Sequence, residues 1–168
     1  QEPHMAALLD LVALGTVADV VPLDRNNRIL IDEGLKRIRA GRTCPGILAL
    51  LEVANRKVRQ LSASDLGFSL GPRLNAAGRL DDMSTGIECL LAEKQGSAYE
   101  LALQLDAMNQ DRKQIEADMR KQAFAYLEEL ELEEDGIPPA LCVYDPRWHQ
   151  GVVGILASRI KDKFNRPV

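Results

Sequence analysis

The sequence has no apolar run approaching the roughly 20 residues that a membrane-spanning helix requires, and no basic, apolar, small-residue leader. Both absences lead to the expectation of a soluble protein with no membrane partner. Aromatic residues make up only 4% of the chain, a poor supply for platforms that stack successive bases of a single strand. Its three cysteines, Cys44, Cys89 and Cys142, are odd in number and far apart. That spacing fits neither a disulfide framework nor a zinc site, and a reducing, cytoplasmic setting is expected. Histidine is scarce too: only His4 and His149 occur. There are no internal repeats and no low-complexity segment.

What is present is enough apolar material, 46% of 168 residues, for one ordinary domain or two truncated ones. The ends are unusual. The chain starts at Gln1 and runs quickly into the apolar stretch Met5–Leu14, and it stops at Arg166-Pro-Val168, where another apolar run is about to begin. Natural termini are usually polar and frayed, so an internal piece of a longer chain is the expectation. The net charge of -4 argues against a nucleic-acid binder when taken whole. Its distribution argues the other way: residues 25–80 hold 11 Lys or Arg against 4 Asp or Glu. A basic middle between acidic flanks fits an anionic partner, and equally a solvated helical surface.

The pattern is mostly helical. Residues 4–14 read as a helix broken at Gly15-Thr-Val-Ala-Asp19. Asp24 can cap a helix over about 25–40, with Ile29, Leu30, Gly34, Leu35 and Ile38 as its apolar positions and Gly41 as its stop. Pro45 suits the first turn of a helix over 45–55. Ser62 or Ser64 can cap the next, which meets Gly71-Pro72 and should kink or break there. From about Gly96 to Glu134 no Gly or Pro intervenes. Ser97 with Glu100 has capping-box spacing, and Leu101, Leu105, Met108, Arg112, Ile115, Met119, Gln122, Tyr126 and Leu130 form a narrow seam of one long helix or a close pair. Residues 131–139, acidic and ending in Gly-Ile-Pro-Pro, read as a linker. Ala140–Tyr144 reads as a strand, 151–164 as a helix, and Arg166–Val168 as the opening of another strand. Strand, helix, strand begins an α/β unit, so the fold class expected is helix-rich α/β with a boundary near residue 136.

Three places carry possible chemistry. Asp19 follows small residues in an apolar setting, and a carboxylate there calls for a pairing partner, a hard divalent cation or a plain capping role. In Gly71-Pro-Arg-Leu-Asn-Ala-Ala-Gly-Arg79, two arginine forks six residues apart and Asn75 flank small residues at 76–78. Such forks suit phosphate oxygens, and equally structural ion pairs around a packing alanine face. His149, in Trp148-His-Gln-Gly-Val-Val-Gly154, lies by an expected helix N-terminus, where anions bind. Trp148 reads as a core or hinge residue more readily than as a base-stacking one, and His4 is uninterpretable.

Together, Leu11–Leu23, Leu70–Asp82 and Trp148–Arg159, in this order and spacing, resemble the RecJ family of single-strand-specific DNA exonucleases within the DHH phosphoesterase superfamily. The resemblance covers nearly the whole chain. It implies hydrolysis of single-stranded DNA from the 5′ end with Mn²⁺ or Mg²⁺, in DNA repair and recombination. It implies the C-terminal part of a DHH catalytic domain over 1–92, a connecting helix and linker over 93–136, and the start of a DHHA1 domain over 137–168. Asp19 matches a metal ligand of the family. Arg73 matches an arginine that holds substrate phosphate, Asn75 and Arg79 take supporting roles, and His149 is placed facing DNA. Single-strand-binding protein or a helicase are the implied partners of a monomer. The family's Asp-x-Asp and Asp-His-His motifs are not in this sequence, so the chain alone is expected not to cut DNA. The other readings are a DHH phosphodiesterase or pyrophosphatase for small substrates, and a helical module that binds nucleic acid without cutting it.

Overall fold

The computed structural model describes residues 5–129 and 138–168. These fall into two compact units, Gln1–Asn109 and Gln110–Val168. In the first unit a 3₁₀ turn (Met5–Leu8) leads into α1 (Leu9–Ala18), followed by α2 (Arg25–Arg39), α3 (Pro45–Val53), α4 (Ala63–Asp65), a π-helical turn (Leu66–Leu70), α5 (Gly71–Leu80) and α6 (Ser84–Leu91). The long helix α7 (Gln95–Glu129) begins in the first unit and ends in the second, where α8 (Val153–Phe164) follows. None of these helices is long and apolar enough to cross a membrane.

Local chemistry explains most of the boundaries. The Asp24 carboxylate accepts the Asn27 amide at 2.8 Å and caps α2. Gly41, with φ of 71°, closes the far end of α2, where the Arg42 amide donates to the Arg37 carbonyl. Pro45 opens α3. Ser62 and Asp65 form a reciprocal capping box for α4. Pro72 lacks an N–H and crowds the carbonyl four residues back. The chain meets this by widening into the π-helical turn just before α5, so the helical path bulges but continues.

Gly15 does not break α1, which runs on to Ala18. The glycine is exposed and a side chain there would meet no neighbour, so it adds only a modest helix-interior cost. The stop comes at Asp19 and Val20. On α2 the buried stripe is Ile31, Gly34, Leu35 and Ile38, whereas Ile29 and Leu30 are exposed. Gly34 belongs to it because a Cβ there would collide with the Leu9 carbonyl and the Ala13 methyl, so α1 and α2 meet at backbone distance.

The long helix starts at Gln95, ahead of Ser97, which therefore lies inside it and does not act as a cap. Its buried face is Ala98, Ala102, Leu105 and Asn109 in the first unit, and Met119, Ala123 and Leu127 in the second. That face combines Leu105 and Met119 of the expected seam with three alanines, whose small side chains allow close approach, and Tyr126 is left 49% exposed. In the second unit this face accompanies Leu141, Val152, Leu156 and Ile160 into the core, with the Phe124 and Phe164 rings edge to face at 6.4 Å.

No strand occurs among the described residues. Ala140–Tyr144 makes a single ladder-like bond, from the Leu141 amide to the Pro167 carbonyl at 2.8 Å. Strands persist only with continued pairing, and neither 140–144 nor 166–168 finds it here. The described residues are helix-rich, as expected, and hold no strand of the expected α/β part. The expected linker at 131–139 lies mostly outside the described residues.

Candidate functional site

Asp19 terminates α1 as its C-cap. Its amide donates to the Gly15 carbonyl at 3.0 Å, and its exposed carboxylate has no hydrogen-bond or ion-pair partner among the described residues. The turn behind it is strained. Val20 has φ of 55°, an αL conformation rare for a β-branched side chain, while the Val21 amide reaches back to the Thr16 carbonyl at 3.1 Å. This closure stops the helix and leaves the carboxylate at the rim of an apolar groove of about 380 Å³.

Asn75, on α5, lines the same groove, together with Leu11, Leu14, Leu74 and Met83. The structure thus brings Asp19 and Asn75 to one place. Ala76 and Ala77 are fully buried and pack into the core. Arg79, at the end of α5, is exposed.

Arg73 is committed to protein partners. One terminal nitrogen donates to the Ser69 carbonyl at 2.6 Å and the other pairs with Asp106 at 2.8 Å, both side chains being less than a fifth exposed. Its Nε is buried with no partner. Ser69, in the π-helical turn, also accepts Arg56 Nε on its hydroxyl at 3.0 Å, so it stands between two guanidinium groups. Asp106 lies 33 residues from Arg73 on another helix, with no local pattern to flag the pair; the sequence carried no signal for it, nor for the strain at Val20.

His149 belongs to the second unit. Its Nδ1 accepts the Gly151 amide at 3.1 Å, so in the neutral ring Nε2 carries the proton. Its carbonyl accepts the Val152 and Val153 amides, which makes it the lead-in to α8. The Trp148 indole donates to Gln122 on α7 at 2.9 Å, a structural tie.

A divalent cation fits Asp19 as one oxygen ligand: the carboxylate is exposed, unpartnered and lines the same groove as the side-chain amide of Asn75. No group of three or more His, Cys, Asp or Glu among the described residues could hold a metal by itself. The cysteines offer no substitute. Burial pushes the Cys89 thiol up to about 11 and raises that of Cys44, so both stay protonated at neutral pH.

No family model matches the chain. Among curated proteins, it is 66% identical over 167 residues to the single-stranded-DNA-specific exonuclease RecJ of Dickeya dadantii (strain 3937), covering 99% of this chain. It is 64% identical over 166 residues to that of Escherichia coli (strain K12), and 36% identical over 160 residues to that of Bacillus subtilis (strain 168). The chain spans 29% of the length of the first two and 20% of the third. Among solved structures, RecJ of Thermus thermophilus in complex with Mg²⁺ matches 99% of the chain with a TM-score of 0.85 at 34% identity, across 25% of that protein. An exonuclease RecJ bound to manganese matches 98% with a TM-score of 0.83 at 33% identity, across 40% of its own chain. Along nearly its whole length the chain therefore matches one stretch of RecJ in both sequence and structure.

Proposed function

We propose, from this match, that the chain serves a single-stranded-DNA-specific exonuclease that hydrolyses phosphodiester bonds from the 5′ end with Mn²⁺ or Mg²⁺, in DNA repair and recombination. The observation that carries the reading is Asp19, an exposed carboxylate without a partner, held by a strained helix stop at the rim of a groove it shares with Asn75. Asp19 would hold a divalent cation there. Two such cations, when bound, stabilise the charge on the attacking and leaving oxygens of the scissile phosphate. Asn75 would orient the phosphate beside Asp19 through its amide donor, and Arg79 would add positive charge. Arg73 would act on the same phosphate from within its pairing with Asp106, which fixes the guanidinium fork in place. His149 would offer its Nε2 proton to a more distant phosphate.

The domain reading goes with this function. Residues 1–92 would close a DHH-type catalytic domain, 93–136 would connect, and 137–168 would open a DHHA1-type α/β domain whose strands pair with neighbours beyond this chain. Single-stranded DNA is the partner, with a single-strand-binding protein or helicase as protein partners. A cytoplasmic setting accords with the protonated, unbridged thiols.

The test is hydrolysis of 5′-labelled single-stranded and duplex DNA with Mn²⁺. The full-length protein should degrade the single strand and spare the duplex, while residues 1–168 alone should degrade neither. Hydrolysis by residues 1–168 would show that ligands within this chain suffice, and duplex cleavage by the full-length protein would remove the proposed specificity.

A further inference from the structure

Unpaired positive charge collects at the end of the first unit opposite Asp19, and we infer that this end is a second contact for the phosphate backbone of a single strand. The inference rests on the functional reading above and extends it to the path of the strand.

Residues 36–60 hold seven Lys or Arg and a single acidic residue, Glu52. The fold decides where they go. Arg37 donates to the Ala7 carbonyl at 3.4 Å and Gly34 packs against Leu9, so α1 and α2 run antiparallel, with the end of α2 beside the start of α1. Asp19 lies past the other end of α1. With its 15 residues, α2 is about 22 Å long, and this sets the separation between the two ends. At the far end, Arg39 donates to the Leu61 carbonyl at 2.7 Å and draws the 3₁₀ turn Val58–Gln60, with Arg59 in it, against α2. Arg42 follows directly in the Gly41 cap.

The acidic groups nearby neutralise part of this charge, at Lys36 and Arg56, but pair with neither Arg42 nor Arg59. Asp32 and Glu33 are both taken by Lys36 at 2.8 Å. Asp10 is buried and accepts the Thr43 hydroxyl at 2.7 Å and the Cys44 amide at 3.1 Å. Asp65 faces Arg56. A helix dipole favours cations at its C-terminal end and so accounts for Lys36, Arg37 and Arg39. It does not account for Arg42 and Arg59, which lie outside the α-helices, are exposed, and have no side-chain partner among the described residues. Exposed, uncommitted guanidinium groups suit phosphate oxygens. A contact about 20 Å from the hydrolytic end would hold long strands between successive cuts and leave very short ones unheld.

The test replaces Arg42 and Arg59 with Gln together in the full-length protein. Affinity for fluorescein-labelled oligo-dT is followed against salt, with one oligonucleotide long enough to span both ends and one too short to do so. Each phosphate contact to a single strand contributes about 0.7 to the slope of log affinity against log salt. The long oligonucleotide should therefore lose about 1.4 of that slope, and the short one much less. A charge-matched variant, Arg120→Gln with Lys121→Gln, alters exposed positions of α7 and should keep the wild-type slope. An unchanged slope on the long strand, an equal change on both lengths, or an equal change in the charge-matched variant would overturn the inference. Failure of the functional reading itself looks different: the unaltered full-length protein would neither bind nor degrade single-stranded DNA.

Discussion

An arginine with both terminal nitrogens already occupied can meet a phosphate only by sharing or exchanging a partner. Arg73 is in that position, with Asp106 and the Ser69 carbonyl on its fork and a buried Nε without a partner. Two variants separate a phosphate contact from a purely structural pair. Arg73→Ala leaves the Asp106 carboxylate without its guanidinium and should lower both stability and DNA capture, with a shallower salt dependence. Asp106→Asn keeps the shape of the site while releasing the guanidinium, and should retain or raise DNA affinity even as stability falls. If both variants lose stability while DNA affinity and its salt slope stay at wild type, Arg73 only holds α5 to α7. Val20 shows the same tension between site and fold. Its αL backbone costs roughly 1–2 kcal/mol for a residue with a Cβ, and 86% of its surface is exposed, so little burial offsets that cost. Strain of this kind persists where the surroundings hold it, and here it sits next to the carboxylate proposed for the metal.

Helix packing is where sequence and structure can be compared most closely. Signals that act within a few residues were legible: Asp24, Gly41, Pro45 and Ser62 each mark a boundary that the structure keeps, because capping depends only on the adjacent turn. Signals that depend on distant partners were not. The seam of α7 keeps the expected Leu105 and Met119 but also takes in Ala98, Ala102 and Ala123, and which alanines become contact points is decided by the helices facing them. Ala140–Tyr144 has strand-like residues but no continued pairing, and Gly15 sits within α1 because that helix is held by packing against α2. In the proposed site, Asp19 and Asn75 were proposed from motif resemblance, whereas the Arg73–Asp106 pair had no local signal. The α1–α2 contact yields its own prediction. Adding a methyl at Gly34 drives a Cβ into the Leu9 carbonyl and Ala13, so Gly34→Ala should destabilise the protein by about 1–3 kcal/mol, despite the better helix propensity of alanine. The denaturant midpoint measures this, and an unchanged or raised midpoint would mean that α1 and α2 can part without loss.

At the scale of the whole molecule, the groups proposed to hold substrate outnumber the proposed metal ligands. It matches RecJ along 99% of its length while spanning 29% of two of those relatives. Among its described residues Asp19 is the carboxylate proposed to take a cation, and no cluster of three ligands accompanies it. Strand capture and bond cleavage should therefore separate cleanly at Asp19. The measurement that tests this most directly is Mn²⁺-dependent turnover of single-stranded DNA by the full-length protein carrying Asp19→Ala, with DNA affinity determined in parallel. Hydrolysis should be abolished while binding remains measurable; hydrolysis at the wild-type rate would remove Asp19 from the metal site.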